Sequence, residues 1–93
     1  MPINILKQNK IANDQIACIC DGDWKLPSQI DQLEKWLIEK ETILNNGPYV
    51  ADIGFTIRKG ALGGGGVISL ELMKILLKLR VEIFLSEYPS DED

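Results

Sequence analysis

The sequence contains no histidine. That excludes Ser-His-Asp and Cys-His nucleophilic machinery and removes the commonest metal ligand. Ser28, Ser69, Ser86 and Ser90 therefore have no imidazole to activate them, and no paired carboxylates form a recognisable catalytic motif. Cysteine is nearly as scarce. Cys18 and Cys20 stand alone in a C-x-C spacing, whereas a structural zinc site asks for four ligands drawn mainly from Cys and His. Long apolar runs are missing too: the longest, Ile16 to Cys20, falls far short of the ~20 residues of a membrane span. Basic charge is in deficit. Ten Lys and Arg oppose fourteen Asp and Glu, for a net charge of -4. Residues 1–46 and 47–93 each hold five basic and seven acidic side chains, so no basic arm offers a footprint for phosphates. The expectation is a protein that is not an enzyme, carries no cofactor or metal, and binds neither nucleic acid nor membrane.

What is present reads as one small domain over residues 1–93, with 45% hydrophobic and 26% charged residues. The opening Met1-Pro2-Ile3-Asn4 has no basic n-region and no apolar h-region, which points to the cytoplasm. In that reducing setting Cys18 and Cys20 read as small, half-buried residues on one face of a strand. Residues 1–14 are irregular or a short edge strand around Ile3-Asn4-Ile5-Leu6. Ile16 to Cys20, apolar on both faces, predicts a buried strand broken by Asp21-Gly22-Asp23. Ser28 is a good N-cap for a helix whose apolar positions 30, 33, 36, 37, 43 and 44 share an arc of about 140°. Asn45-Asn46-Gly47-Pro48 should end it. Tyr49 to Lys59 alternates as a strand with Tyr49, Ala51, Ile53, Phe55 and Ile57 on the buried face and Asp52 and Arg58 among the residues of a polar one. Ser69 caps a second helix to about Leu79. Val81 to Tyr88 alternates again, with Val81, Ile83 and Leu85 inward, and Phe84 and Tyr88 outward. Ser90-Asp91-Glu92-Asp93 reads as a frayed acidic tail over residues 90–93.

Strands covered on both faces read as continuous apolar runs, whereas the two later strands alternate. The fold class is therefore α+β: a two-layer sandwich, with a three- or four-stranded sheet and two helices on one face. Tyr49 to Tyr88 would be a βαβ crossover. Ile53, Phe55, Ile57, Val81, Ile83 and Leu85 should be buried beneath Leu33, Leu37, Leu72, Leu76 and Leu79.

Two segments attract functional readings. Gly63, Gly64, Gly65 and Gly66 precede a helix N-terminus at Ser69, where backbone N–H groups favour anions. A phosphate or nucleotide cradle is conceivable there, but no Lys-Ser or Lys-Thr follows, so the P-loop pattern is not met. A plain connection is the simpler reading. The second helix confines Glu71, Lys74 and Lys78 to about 60° of arc and is apolar around most of the rest. Sheet packing cannot cover so wide a face; the first helix of the same chain, the simpler reading, or another subunit must cover the rest. Leu72, Met73 and Leu76, with Phe84 and Tyr88 on the outer sheet face, make an interface and a homodimer the expectation.

Trp24 precedes a helix bearing Leu33-Glu34-Lys35-Trp36-Leu37. Then come Asp52-Ile53-Gly54-Phe55, the glycine tract, and Ile68-Ser69-Leu70-Glu71-Leu72 through Val81-Glu82-Ile83 to Tyr88-Pro89. Over residues 24–89 these features resemble an uncharacterised bacterial family, domain of unknown function 4279. The matching positions look fold-determining, so the resemblance carries no catalytic residue across. Its members look longer at the N-terminus, which implies a shortened portion here and a sheet edge that a strand from a second copy would complete. The functional expectation is a small cytoplasmic protein acting by protein–protein interaction, with a regulatory or immunity-like role by analogy. The alternative is an anion- or nucleotide-binding module built on the glycine tract.

Overall fold

Ile3–Gln8 (β1) pairs antiparallel with Asn13–Ile19 (β2) on one side and with Tyr49–Thr56 (β3) on the other. The computed structural model describes residues 2–8, 13–45, 47–57, 60, 62–63 and 65–89. The readings on Asn46, Arg58, Lys59 and the tail 90–93 lie outside the described residues. β1 is thus an interior strand, not an irregular segment or an edge. β2 follows it directly in the chain, but its other partner β3 lies far away in sequence, so no local signal marks β1 as central. Ile3 and Ile5 are wholly buried beneath the helices.

β2, in contrast, is an edge strand with Ile16 and Cys18 exposed, not the buried strand expected from its composition. Its register slips: Ile5 faces Ala17 and Leu6 faces Gln15, so Ile16 is the extra residue of a bulge. Apolar character alone could not separate a central strand from an edge.

The first helix, Leu26–Lys40 (α1), starts before Ser28, with Lys25 as its N-cap and Pro27 in the first turn, where a missing N–H does no harm. No side chain caps the helix as Ser28 was expected to, and Ser28 is drawn instead to the Asp23 carboxylate. That carboxylate accepts from the Lys25 N–H at 3.1 Å and from Ser28 Oγ at 2.5 Å. The helix stops at Lys40, short of the Asn45-Asn46-Gly47 cap. The Ile43 and Leu44 N–H groups both turn back to the Lys40 carbonyl at 3.0 and 2.9 Å. Ile43 is consequently exposed.

Leu70–Leu79 (α2) carries the chain from β3 to Val81–Tyr88 (β4), which lies parallel to β3 from Tyr49 opposite Val81 to Thr56 opposite Tyr88. Ser69 caps α2 as its sequence position predicts, its Oγ accepting from the Leu72 N–H at 3.0 Å. Arg80 closes the helix in the left-handed region at φ 60°, donating to the Leu76 and Leu77 carbonyls.

The sheet order is β2-β1-β3-β4. Ile30, Leu33 and Leu37 from α1 and Leu72, Ile75 and Leu79 from α2 join one apolar cluster with Ile3, Ile5, Ala51 and Ile53. Both helices therefore cover the same face of an open four-stranded sheet, which is an α+β two-layer arrangement. The expected core extends too far: Phe55 is only half-buried, and Ile57 and Leu85 are exposed. Ten helical residues rise about 15 Å, while eight strand residues span about 26 Å. Starting from the shared turn at Arg80, α2 leaves the far ends of β3 and β4 uncovered.

Candidate functional site

The even-numbered residues of β3 and β4 form the sheet face away from the helices. It is less polar than the alternation implies, since Val50 is buried in it. Near its far end the loop before α1 folds across it. The Trp24 carbonyl accepts from the Thr56 N–H at 3.0 Å, which extends the pairing of β3 by one rung. The Trp24 ring then meets Tyr88 edge-to-face, with centroids 5.6 Å apart and planes at 86°. Gly54 lies beneath them. A Cβ there would come within 2.9 Å of Tyr88 Cε2, so the glycine makes room for the aromatic pair. Beside it, Ser86 Oγ donates to Asp52 Oδ1 at 2.6 Å, joining β4 to β3. Phe84, opposite Asp52 in the register, is 52% exposed.

The other flank of β4 is α2. Lys78 Nζ reaches Glu41 Oε1 at 2.5 Å and Ser69 Oγ reaches Glu34 Oε1 at 3.1 Å, so the polar stripe of α2 faces α1. Leu72, Ile75 and Leu79 face the sheet. The stripe Leu70, Met73 and Leu77, spaced i, i+3, i+7, is left on the side away from α1, with Leu70 72% and Leu77 81% exposed.

Of the five residues assigned to an interface, Phe84, Tyr88 and Met73 are at the surface, Leu76 is half-buried, and Leu72 belongs to the core. Leu72 lies at the centre of the sheet-facing arc, which an all-round apolar helix does not reveal. Leu70, Leu77 and Leu85 were missed as surface residues. Helical spacing places Leu70 and Leu77 with Met73, and that signal could have found them.

The glycine tract has a different character. Gly64 lies outside the described residues. Gly63 and Gly65 hold positive φ values of 146° and 131°. Gly66 is a packing residue: a Cβ there would run into Ile30 Cδ1. At Ser69 the helix terminus already meets a carboxylate, because the hydroxyl that caps Leu72 donates to Glu34. Glu71 adds a second acid in the first turn. An anion arriving there would face both, which weighs against a phosphate cradle.

Between α1 and the end of β2 lies an open groove of about 360 Å³, lined by Ile19, Cys20, Asp23, Lys35, Trp36 and Glu39 among others. Cys20 has left the strand with φ 58° and packs against the core, so the two thiols do not share one strand face as expected. Burial pushes the Cys20 thiol above its ordinary pKa, and Asp23 and Cys18 push it the same way. It is a poor nucleophile. Iodoacetamide at pH 8 should therefore label exposed Cys18 several-fold faster than Cys20, read by peptide mass spectrometry; equal rates would contradict this environment. Among the described residues no group of three or more Cys, Asp or Glu is placed to hold a metal ion, and no helix is long and apolar enough to cross a membrane.

Fold and surface together define a small open-sheet α+β protein whose most unusual feature is the uncovered apolar surface around β4. No protein-family model, curated protein or solved structure matches the chain.

Proposed function

We propose that this protein is a non-catalytic binding module that works in the bacterial cytoplasm by holding another protein against the β4 side of its sheet. One observation carries the reading. β4 is an edge strand flanked by exposed apolar side chains on both faces, Phe84 and Tyr88 on one and Leu85 with the α2 stripe on the other. Apolar patches of this extent, rimmed by polar residues, mark interaction surfaces on small proteins. The resemblance to domain of unknown function 4279 fits, because the matching positions build the scaffold and supply no chemistry. A regulatory or immunity-like role suits such a module.

Site-specific photocrosslinking in cells tests this reading. With benzoylphenylalanine replacing Phe84, illumination should give a defined adduct, identified by mass spectrometry as one protein, this chain included. The same group at Asp31, on the exposed side of α1, should give none. Equal labelling at both positions, or none at either, would remove β4 as the binding surface.

A further inference from the structure

The two edges of the sheet differ in a way that selects a partner. β2 carries a bulge at Ile16 and a polar start at Asn13, Asp14 and Gln15. Bulges and polar residues are the devices that protect an edge from pairing. β4 has no bulge, and its polar residues Glu82, Ser86 and Glu87 are interleaved with apolar ones. Its eight residues, Val81 to Tyr88, include no proline, lysine or arginine, and its register with β3 runs unbroken. Its outer backbone edge is a template for another strand.

We infer that this strand is β4 of a second copy, paired antiparallel about a two-fold axis at Phe84; the inference rests on the binding role proposed above. Self-complementarity of the register carries it. In antiparallel pairing, residues directly opposite share a face, so a two-fold axis through the ladder must pass at a residue. With Phe84 on the axis, Phe84 meets Phe84 on the outer face, and Ile83 meets Leu85 twice on the helix face. Glu82 then faces Ser86, and neither glutamate faces a glutamate. Moving the axis to Leu85 sets Ile83 against Glu87, and moving it to Ile83 sets Phe84 against Glu82. Apolar cross-strand pairs stabilise a ladder, and like charges directly opposite destabilise it, so the Phe84 register wins.

The area fits as well. Leu70, Met73, Leu77, Phe84, Leu85 and Tyr88 together expose on the order of 600–700 Å², against roughly 800 Å² per partner in a standard interface. Because β4 separates the outer aromatics from the α2 stripe, pairing at this edge draws on both flanks at once. A partner seated on either face alone would cover one of them.

Sedimentation equilibrium of the full chain at micromolar concentration should give about twice the 10.4 kDa chain mass. Phe84→Glu should weaken the dimer about 100-fold, since it sets two charges face to face at the axis. Phe84 is half-exposed, so the variant should keep its circular dichroism; Leu85→Lys is a second variant on the opposite face. In a Cys18→Ser, Cys20→Ser background, Phe84→Cys should be joined across the axis by a short bismaleimide. A dimer untouched by Phe84→Glu and not linked through Phe84→Cys would overturn the edge pairing and leave the binding role standing. So would a monomer whose Phe84 crosslinks to a different protein. Absence of any crosslink would remove both.

Discussion

Replacing Gln29 with alanine should lower the unfolding free energy by about 3 kcal/mol, a drop of roughly 15 °C in Tm for a domain of this size. Gln29 sits in the first turns of α1 and is wholly buried. Its Nε2 donates to two backbone carbonyls, Asp23 O and Gly54 O, each at 2.6 Å. One belongs to the loop that carries Trp24, the other to β3 beneath the Trp24–Tyr88 pair. Gln29 thus ties the helix start to the sheet just where the aromatic surface is built. Alanine leaves both carbonyls without a donor and opens a cavity. Gln29→Glu supplies the sharper test. A carboxylate facing two carbonyl oxygens in the interior has its folded-state pKa raised above the ordinary ~4.3 of glutamate. Its contribution to stability is then full below the unfolded pKa and is lost as pH rises through the folded one. The Gln29→Glu chain should therefore gain urea resistance between pH 8 and pH 5 relative to the Gln29 chain. A deficit that does not change with pH would show that the side chain is not held among those acceptors.

Gly47→Ala should cost about as much, roughly 3 kcal/mol, by a different route. A Cβ at Gly47 would stand 2.6 Å from the Arg80 carbonyl and 2.5 Å from the Tyr49 nitrogen. Both are backbone atoms and cannot rotate away. Gly47 N–H donates to Leu79 O, and Tyr49 N–H to Arg80 O, each at 2.9 Å. These bonds clamp the start of β3 to the turn between α2 and β4, so any relief of the clash breaks the clamp. Equilibrium urea unfolding gives the size of the effect. A loss below about 0.5 kcal/mol, the range of unconstrained surface changes, would contradict this packing.

The amino-acid pattern determined the local elements and the layer they share. Alternation in Tyr49 to Thr56 and Val81 to Tyr88, and the Ser69 cap, placed β3, β4 and α2 within a few residues. One-sided alternation put both helices on one face, because apolar periodicity records which side of an element is covered. The absence of histidine by itself narrowed the chemistry. Tertiary structure alone decided matters that depend on partners distant in sequence. Whether Ile3–Gln8 lies inside the sheet and Asn13–Ile19 at its edge depends on which strands hydrogen-bond, and the apolar pattern pointed the other way, to a buried strand at Ile16 to Cys20 and at most an edge at Ile3 to Leu6. Whether Leu72 or Leu77 is the buried leucine depends on the rotation of α2, since nearly every side of that helix is apolar. Leu85 is exposed because a ten-residue helix is shorter than the strand it covers. Gln29 was invisible as a core residue, since glutamine on a helix reads as solvent-facing until two carbonyls from elsewhere in the chain converge on it.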